Sequence, residues 1–299
     1  MRREVEKLPQ SLIVGELEAT PVVTSRFRLD GGSMFGVVPK VLLDKVAPAD
    51  ERNRIRLNVN SLIVRAPGKL ILVEPGMGSK YDERQKDIYA LEPLNMDECL
   101  TAAGAPPGDI DVVIPTHLHL DHAGGSTSAG ADGRVVESFP RAWFVVQEAE
   151  WEAACDPGPL ERGSYHAGDF VPLLETGRLQ VVSGTTEVAR GVRVEVTGGH
   201  TRGHQVVRLR SGGDEALYLG DIVPTAAHLK LNWLMAWDLQ PELVYAAKER
   251  LLGDAVDRGV TVFFSHDPRV AGCRLERSSR GSFQMIEETI IEAPGAGRF

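Results

Sequence analysis

The stretch THLHLDHAGG, residues 116–125, constrains this chain more than any other segment. It places three of the eight histidines and one aspartate within six positions. Alternate side chains of an extended segment share a face, so His117 and His119 are predicted to point the same way. The small residues at 123–125 favour a turn directly after His122. The stretch therefore predicts two neighbouring sets of ligands, His117 with His119 and Asp121 with His122.

Further ligands are needed, because four side chains cannot complete the coordination of two metal ions. Imidazole and carboxylate groups are typical zinc ligands. Three more stand directly after apolar stretches: His200 in GGHTRGH, Asp221 in YLGD and His266 in FFSHD. The sequence thus predicts a metal site built by seven residues, namely His117, His119, Asp121, His122, His200, Asp221 and His266.

Short apolar runs alternate with helical patterns along the chain. Residues 60–76 are typical of two strands around a turn at Pro67 and Gly68, and residues 192–221 of three strands separated by glycine-rich turns. Residues 242–259 have apolar side chains at helical spacing. No linker divides the chain, so we expect a mixed α/β protein with one domain over 1–299 and a loose C-terminal tail, APGAGRF.

Charge and composition exclude several classes of protein. The chain carries 33 basic and 42 acidic residues, a formal charge of −9, which argues against nucleic-acid binding. No apolar run reaches the length of a membrane span, and the charged N-terminus MRREVEKLPQ is unlike a signal peptide. The three cysteines form no CxxC pair, which favours a reducing compartment. The expected location is the cytoplasm.

THLHLDHAGG, GGHTRGH, LGD and SHD, in this order, resemble the metallo-β-lactamase superfamily from about Leu57 to His266. The resemblance implies a four-layer αββα sandwich of the α/β (α+β) class. The stretches LDGGSMFGVVPK and TAAHLKLNWLMAWDLQPE are similar to the branch that contains methyl parathion hydrolases and quorum-quenching N-acyl homoserine lactonases.

The same resemblance implies two Zn²⁺ ions per chain, although Co, Mn or Fe would suit similar ligands. One ion would take His117, His119 and His200. The other would take Asp121, His122 and His266. Asp221 would bridge the two ions, and Asp121 and Asp221 are the predicted catalytic residues. Glu74 stands where many relatives have aspartate, and its expected role is to support the metal site.

The predicted function is a dinuclear zinc hydrolase in which a metal-bridging hydroxide attacks a lactone, such as an N-acyl homoserine lactone, or a phosphotriester. A small-molecule ester or lactone is then the partner, and a homodimer is compatible with the resemblance. Three alternatives stay open: a thioester hydrolase similar to glyoxalase II, a metal-storage protein, and a mononuclear iron dioxygenase that uses His117, His200 and Asp221.

A wall for the substrate is predicted from two apolar groups of residues near these motifs. Its candidate members are Met34, Phe35, His228, Trp233, Met235 and Trp237. His204 is expected to support the site, His228 is equally compatible with a surface or structural position, and His166 is expected at the surface. The lactonases of the branch that this chain resembles carry a tyrosine three residues after the bridging aspartate. Pro224 stands there instead, which leaves open the group that protonates the leaving group.

Overall fold

The computed structural model of the chain describes residues 11–92, 94–130 and 133–290. The predicted C-terminal tail, APGAGRF, lies outside the described residues. Across those ranges, none of the helices combines the length and the apolar character that crossing a membrane requires.

The strands of the described ranges follow the predicted alternation of apolar runs. In chain order they are β1 (Leu12–Val14), β2 (Leu17–Asp30), β3 (Arg54–Ala66), β4 (Lys69–Val73), β5 (Val112–Ile114), β6 (Thr127–Ala129), β7 (Val135–Glu137), β8 (Trp143–Gln147), β9 (Leu179–Val182), β10 (Thr186–Ala189), β11 (Val192–Val196), β12 (Gln205–Ser211), β13 (Asp214–Tyr218), β14 (Thr261–Phe263), β15 (Val270–Arg277) and β16 (Phe283–Ile290). The predicted hairpin is β3–β4, and the three predicted strands are β11, β12 and β13.

The helices are short except for the last one. They are α1 (Gly31–Phe35), α2 (Lys40–Leu43), α3 (Glu83–Tyr89), α4 (Met96–Ala102), α5 (Leu120–Ala123), α6 (Glu148–Cys155), α7 (Ala167–Glu175) and α8 (Pro241–Arg258). Helix α8 begins with Pro241, whose ring suits the first helical position, and ends at Gly259 in the left-handed conformation.

Two seven-stranded sheets form the centre of the molecule. Their strand orders are β1-β2-β3-β4-β5-β8-β9 and β10-β11-β12-β13-β14-β15-β16. Buried apolar side chains from both sheets, including Val64 and Ile71 of one and Val194 and Val207 of the other, form a shared core. The sheets therefore pack face to face.

Helices cover the outer face of each sheet. Leu251 and Leu252 of α8 pack in a cluster with Val262 of the second sheet. Phe170 of α7 packs in a cluster with Phe144 of the first sheet. The layers are therefore helix, sheet, sheet, helix, and the predicted αββα sandwich is confirmed.

Candidate metal centre

The histidine motif lies in a loop beyond the end of a central strand. Strand β5 ends at Ile114, three positions before His117, and α5 begins at Leu120. The prediction of an extended segment through His117 is wrong, because the backbone bends there; only His119 makes a strand-like bridge, with Tyr165. The predicted turn around His122 is present as α5.

Seven side chains from four segments of the chain meet at this edge of the sandwich. Three groups of potential ligands have ligand atoms within 4.8 Å of one another: His117, His119 and His200; His117, His122 and Asp221; and Asp121, His122 and His266. His200 Nε2 lies 3.3 Å from His119 Nδ1, and His266 Nε2 lies 3.0 Å from His122 Nε2. The structure thus brings together all seven residues that the sequence singled out.

Asp221 lies between the two histidine groups. Its Oδ2 is 3.5 Å from His200 Nε2, while its Oδ1 is 3.4 Å from His122 Nε2 and 3.2 Å from His266 Nε2. Each carboxylate oxygen therefore faces a different group. This is the arrangement that a carboxylate bridging two cations requires.

The donor set fits divalent cations. His117 Nε2 is buried and has no hydrogen-bond partner among the residues that the structure describes. Imidazole nitrogens as close as those of His119 and His200 need a shared proton or cation between them. Nitrogen and carboxylate oxygen donors in this ratio suit zinc and similar ions.

Burial and neighbouring charges set the protonation of the cluster. Burial, reinforced by the neighbouring histidines, holds the pKa of His117 and of His119 well below the usual value. Burial would raise the pKa of Asp221, but the charges of His122 and His266 outweigh it and hold that pKa well below its usual range. An ionised carboxylate and neutral imidazoles, as at His117 and His119, are the forms that bind metal. Neighbouring carboxylates raise the pKa of the other three histidines against the effect of burial, so these would release a proton on binding metal.

Glu74 lies directly behind His122. Its Oε1 is 3.0 Å from His122 Nδ1, and it accepts a hydrogen bond of 2.5 Å from the hydroxyl of Thr116. Glu74 is fully buried and has a positive φ of 62° at the end of β4. The carboxylate is thus placed to orient the His122 ring, in agreement with the supporting part expected of it.

Asp238 orients His200 in the same way. Its Oδ1 lies 2.9 Å from His200 Nδ1, and its Oδ2 accepts a hydrogen bond of 2.9 Å from the backbone N–H of Met235. Asp238 was not found from the sequence, because it lies 38 positions from His200. The fully buried Lys248 holds the same loop, since it donates to the carbonyls of Lys230 and Trp233.

Glu150 of α6 joins three loops of the site. Its Oε1 accepts hydrogen bonds from Leu118 N–H and the Tyr165 hydroxyl, and its Oε2 accepts from the Thr201 hydroxyl and Gly203 N–H. A side chain at Gly203 would collide with the backbone of Glu150. The sequence contained no signal for this residue, which looks like any glutamate on a polar helix.

His204 supports the site, as expected. Its Nε2 accepts a hydrogen bond of 3.0 Å from the backbone N–H of Asp221, and its Nδ1 pairs with the Thr197 hydroxyl at 2.7 Å. Gly220 has a positive φ of 52°, and a Cβ there would lie 2.6 Å from His204 Nε2. The absence of a side chain at 220 therefore permits this contact.

A cavity of about 290 Å³ opens onto the cluster. His119, Asp121, His200 and Asp221 line one part of it. Apolar side chains form most of the remainder, and Tyr89 and Ser164 also line it. The apolar residues are Phe27, Leu29, Met34, Leu120, Leu160, Met235 and Trp237.

Half of the predicted wall residues line this cavity and half lie behind it. Met34, Met235 and Trp237 line it. Phe35, His228 and Trp233 do not: Phe35 stacks on His228 at 4.4 Å and meets Trp233 edge-on at 5.6 Å. His228 is buried, with Nε2 2.9 Å from the Met34 carbonyl oxygen, so its place is structural and not at the surface. His166 is partly exposed and precedes α7.

The fold and the geometry of the cluster define a metallo-hydrolase-type αββα sandwich. The family model of the metallo-β-lactamase superfamily matches residues 54–266. The chain belongs to this superfamily, which confirms the resemblance found in the sequence.

Among curated relatives, an N-acyl homoserine lactonase of Bacillus thuringiensis is 31% identical over 182 residues. The match covers 59% of this chain and 64% of that relative. A similar lactonase, AttM of Rhizobium radiobacter, is 30% identical over 177 residues, which cover 56% of this chain and 62% of AttM. The chain thus spans less than two thirds of the length of these relatives.

Solved structures extend the likeness over nearly the whole chain. A probable metal-dependent hydrolase from Staphylococcus aureus is 28% identical, with a TM-score of 0.86 over 94% of this chain and 99% of that one. AidC, a dizinc quorum-quenching lactonase in complex with a product, has a TM-score of 0.74 at 20% identity and covers 95% of this chain and 98% of its own. The second likeness concerns the fold alone.

Proposed function

We propose that this protein is a dinuclear zinc hydrolase that opens the ester bond of a lactone, with N-acyl homoserine lactones as the substrate class. The observation that carries the proposal is the position of Asp221, whose two carboxylate oxygens face two separate histidine groups beside an apolar cavity. The lactonases among the relatives support the choice of substrate.

One cation would be held by His117, His119 and His200, the other by Asp121, His122 and His266, with Asp221 shared. When bound, two such cations supply Lewis acidity toward a carbonyl oxygen and an activated water. The chain itself orients the ligands: Glu74 faces His122, and Asp238 faces His200. Rigid ligands of this kind reduce the reorganisation that the reaction requires.

The cavity suits an acyl lactone because it combines an apolar wall with few polar groups. The ring of Tyr89 lies on this wall, and burial, followed by the negative charge of Asp121, raises the pKa of its hydroxyl. Tyr89 therefore stays protonated at neutral pH and is able to donate a hydrogen bond to a substrate or leaving-group oxygen. Three residues after Asp221 the chain has Pro224, so no tyrosine at that position donates this hydrogen bond.

The rival functions fit the cavity less well. Among the described residues that line it, none is a lysine or arginine that would hold the carboxylates of a glutathione thioester. A mononuclear iron dioxygenase would not use Asp121, His122 and His266 as metal ligands. A phosphotriester would meet the same cations and the same apolar wall, and it stays in the proposal as a second substrate class.

Metal quantification followed by turnover tests the proposal. We expect two zinc ions per chain, hydrolysis of N-acyl homoserine lactones, loss of turnover on chelation and recovery on adding zinc. His200→Ala should abolish turnover, whereas His166→Ala, at a partly exposed histidine outside the cluster, should preserve it.

Each rival predicts a different result. One iron per chain with oxygen consumption would indicate a dioxygenase, and hydrolysis of S-lactoylglutathione alone would indicate a thioester hydrolase. Bound metal without turnover of lactones, paraoxon-type esters or thioesters would indicate storage.

The proposal keeps two further expectations from the sequence, a cytoplasmic location and assembly as a homodimer. Cell fractionation tests the first. Light scattering of the purified protein tests the second, with a single-chain mass as the contrary result.

A further inference from the structure

A second cleft, of about 280 Å³, adjoins the cavity beside the metal cluster. Gly158, Pro159, Leu160 and Glu161 line one side of it, and Arg202, Leu239 and Gln240 line the other. Leu160 lines both spaces. No part of the proposed function so far uses the second cleft.

The same two loops border both spaces. The rim loop, residues 158–164, gives Gly163 and Ser164 to the cavity and residues 158–161 to the second cleft. The loop after Met235 gives Trp237 to the cavity, and Leu239 and Gln240 to the second cleft. The two spaces are therefore neighbours that share Leu160 as a lining residue.

Both loops are fixed to the metal-site scaffold. Leu120 N–H donates to the Ser164 carbonyl at 2.9 Å, which ties the rim loop to α5. Gln240 N–H donates to the Gly199 carbonyl at 2.8 Å, next to His200. Backbone hydrogen bonds thus fix the distance between the cluster and the second cleft. A ligand that reaches both must match that distance in length.

Leu160 is the unusual residue in this arrangement. Its side chain is 86% exposed, although it stands between two concave surfaces that include the apolar residues Trp237 and Leu239. An exposed leucine in that position gains burial when an apolar ligand covers it. The second cleft also carries polar groups: Arg202 and Gln240 line it, as does Glu161, whose carboxylate is buried with no partner for Oε2 among the described residues.

We propose that the second cleft is the subsite for the distal part of a long acyl chain, and that Leu160 sets the preference for chain length. This inference rests on the proposed lactonase function. The reacting ester would lie at the metal cluster, the proximal methylenes would lie along Met235 and Trp237, and a longer chain would pass Leu160 into the second cleft. Each methylene that leaves water there is expected to increase affinity by a factor of up to about four.

Two variants test the subsite through the ratio of kcat/KM for N-decanoyl to N-butanoyl homoserine lactone. Gln240→Trp fills the second cleft from its rim, and the Gln240 side chain makes no capping hydrogen bond that would be lost. Leu160→Ser removes the apolar contact between the two spaces. We expect each variant to lower the ratio by about tenfold or more, mainly through KM.

A matched control is Leu174→Ser on α7, where the leucine is 56% exposed and lines neither space. This control should keep the wild-type ratio. An unchanged ratio in both Gln240→Trp and Leu160→Ser, with butanoyl lactone still hydrolysed, would overturn the subsite and leave the proposed function intact.

The inference has a readout apart from turnover. Calorimetry should show that zinc-loaded wild-type protein binds N-decanoyl homoserine at least tenfold more tightly than Gln240→Trp does. If no lactone is hydrolysed by the wild type, the proposed function fails, but this binding difference still decides the subsite. Equal binding by both proteins, or binding by neither, would overturn it.

Discussion

Asp238 Oδ1 lies 2.9 Å from His200 Nδ1, across 38 positions of sequence. The same carboxylate accepts the N–H of Met235, which lines the cavity. One side chain thereby links the orientation of a candidate metal ligand to the wall that would contact the substrate.

Replacement of Asp238 is expected to weaken metal binding. Asp238→Ala removes the partner of His200 Nδ1, so the ring loses its orientation and part of its basicity. We expect zinc affinity to fall by about 10–100-fold, measured by competition with a chromophoric chelator. Asp44→Ala, at an exposed aspartate of α2's end, is the control and should bind zinc as the wild type does. Equal affinity in both variants would contradict the orienting part of Asp238.

Loss of Glu150 is expected to destabilise the fold. Glu150→Ala would leave four donors from three loops without their acceptor, and unpaired buried donors cost about 1–3 kcal/mol each before relaxation. We expect the free energy of unfolding to fall by about 3–5 kcal/mol in urea denaturation. Glu152→Ala, at an exposed position of the same helix, should change it by less than about 0.5 kcal/mol. A loss as small as that control would show that water replaces the carboxylate.

Removal of the Tyr89 hydroxyl is expected to slow lactone hydrolysis while zinc content is retained. Tyr89→Phe keeps the ring against Tyr81 but removes the donor on the cavity wall. We expect kcat/KM to fall by about tenfold, the value of one hydrogen bond made in the transition state. Tyr81→Phe is the control, because that hydroxyl bonds to the Leu120 carbonyl instead of facing substrate. A similarly small loss of kcat/KM in both variants would show that another group donates the hydrogen bond to the substrate. Ser164→Ala would then be the next variant to measure.

Lys248 is expected to make stability depend on pH. Burial lowers the pKa of Lys248 to about 7, against the opposing effect of Asp238, whereas an unfolded lysine titrates near ~10.4. Between these values the unfolded chain binds the extra proton, so stability should rise with pH by up to about 1.4 kcal/mol per unit. Nearby His228 stays neutral in this range, because burial and the Lys248 charge lower its pKa to about 3.

The measurement compares unfolding free energies of wild type and Lys248→Met from pH 7 to 10. The difference between them should change with pH, since only the wild type has a lysine at 248 that loses its proton on folding in this range. Lys45→Met, at an exposed lysine, is the control and should follow the wild type. Parallel curves for wild type and Lys248→Met would rule out this coupling.

Local chemistry made much of the site predictable. His117, His119, Asp121 and His122 fall within six positions, and His200, Asp221 and His266 each follow an apolar run, so residue type and spacing were enough to select them. The same holds for the hairpin β3–β4 and for α8, where turn residues and helical spacing coincide. The assignment of the seven residues as metal ligands stays a prediction until the metal content is measured.

Two of the supporting residues, Asp238 and Glu150, could not be predicted from the sequence. Asp238 and Glu150 act through side chains of residues far away in the chain, and nothing in their own neighbourhood distinguishes them from surface carboxylates. The wall residues were only half predicted for the same reason: Met34 and Phe35 are adjacent and both apolar, yet one lines the cavity and the other packs on His228.

The sequence by itself determined the alternation of strands and helices, the superfamily and the seven candidate ligands, because these depend on residue type and on spacing along the chain. The tertiary structure alone decided that Asp238 and Glu150 support the site, which apolar side chains face the cavity, and that a second cleft shares Leu160 with it. Those features depend on packing between loops that are distant in sequence, and such contacts cannot be inferred from periodicity or composition.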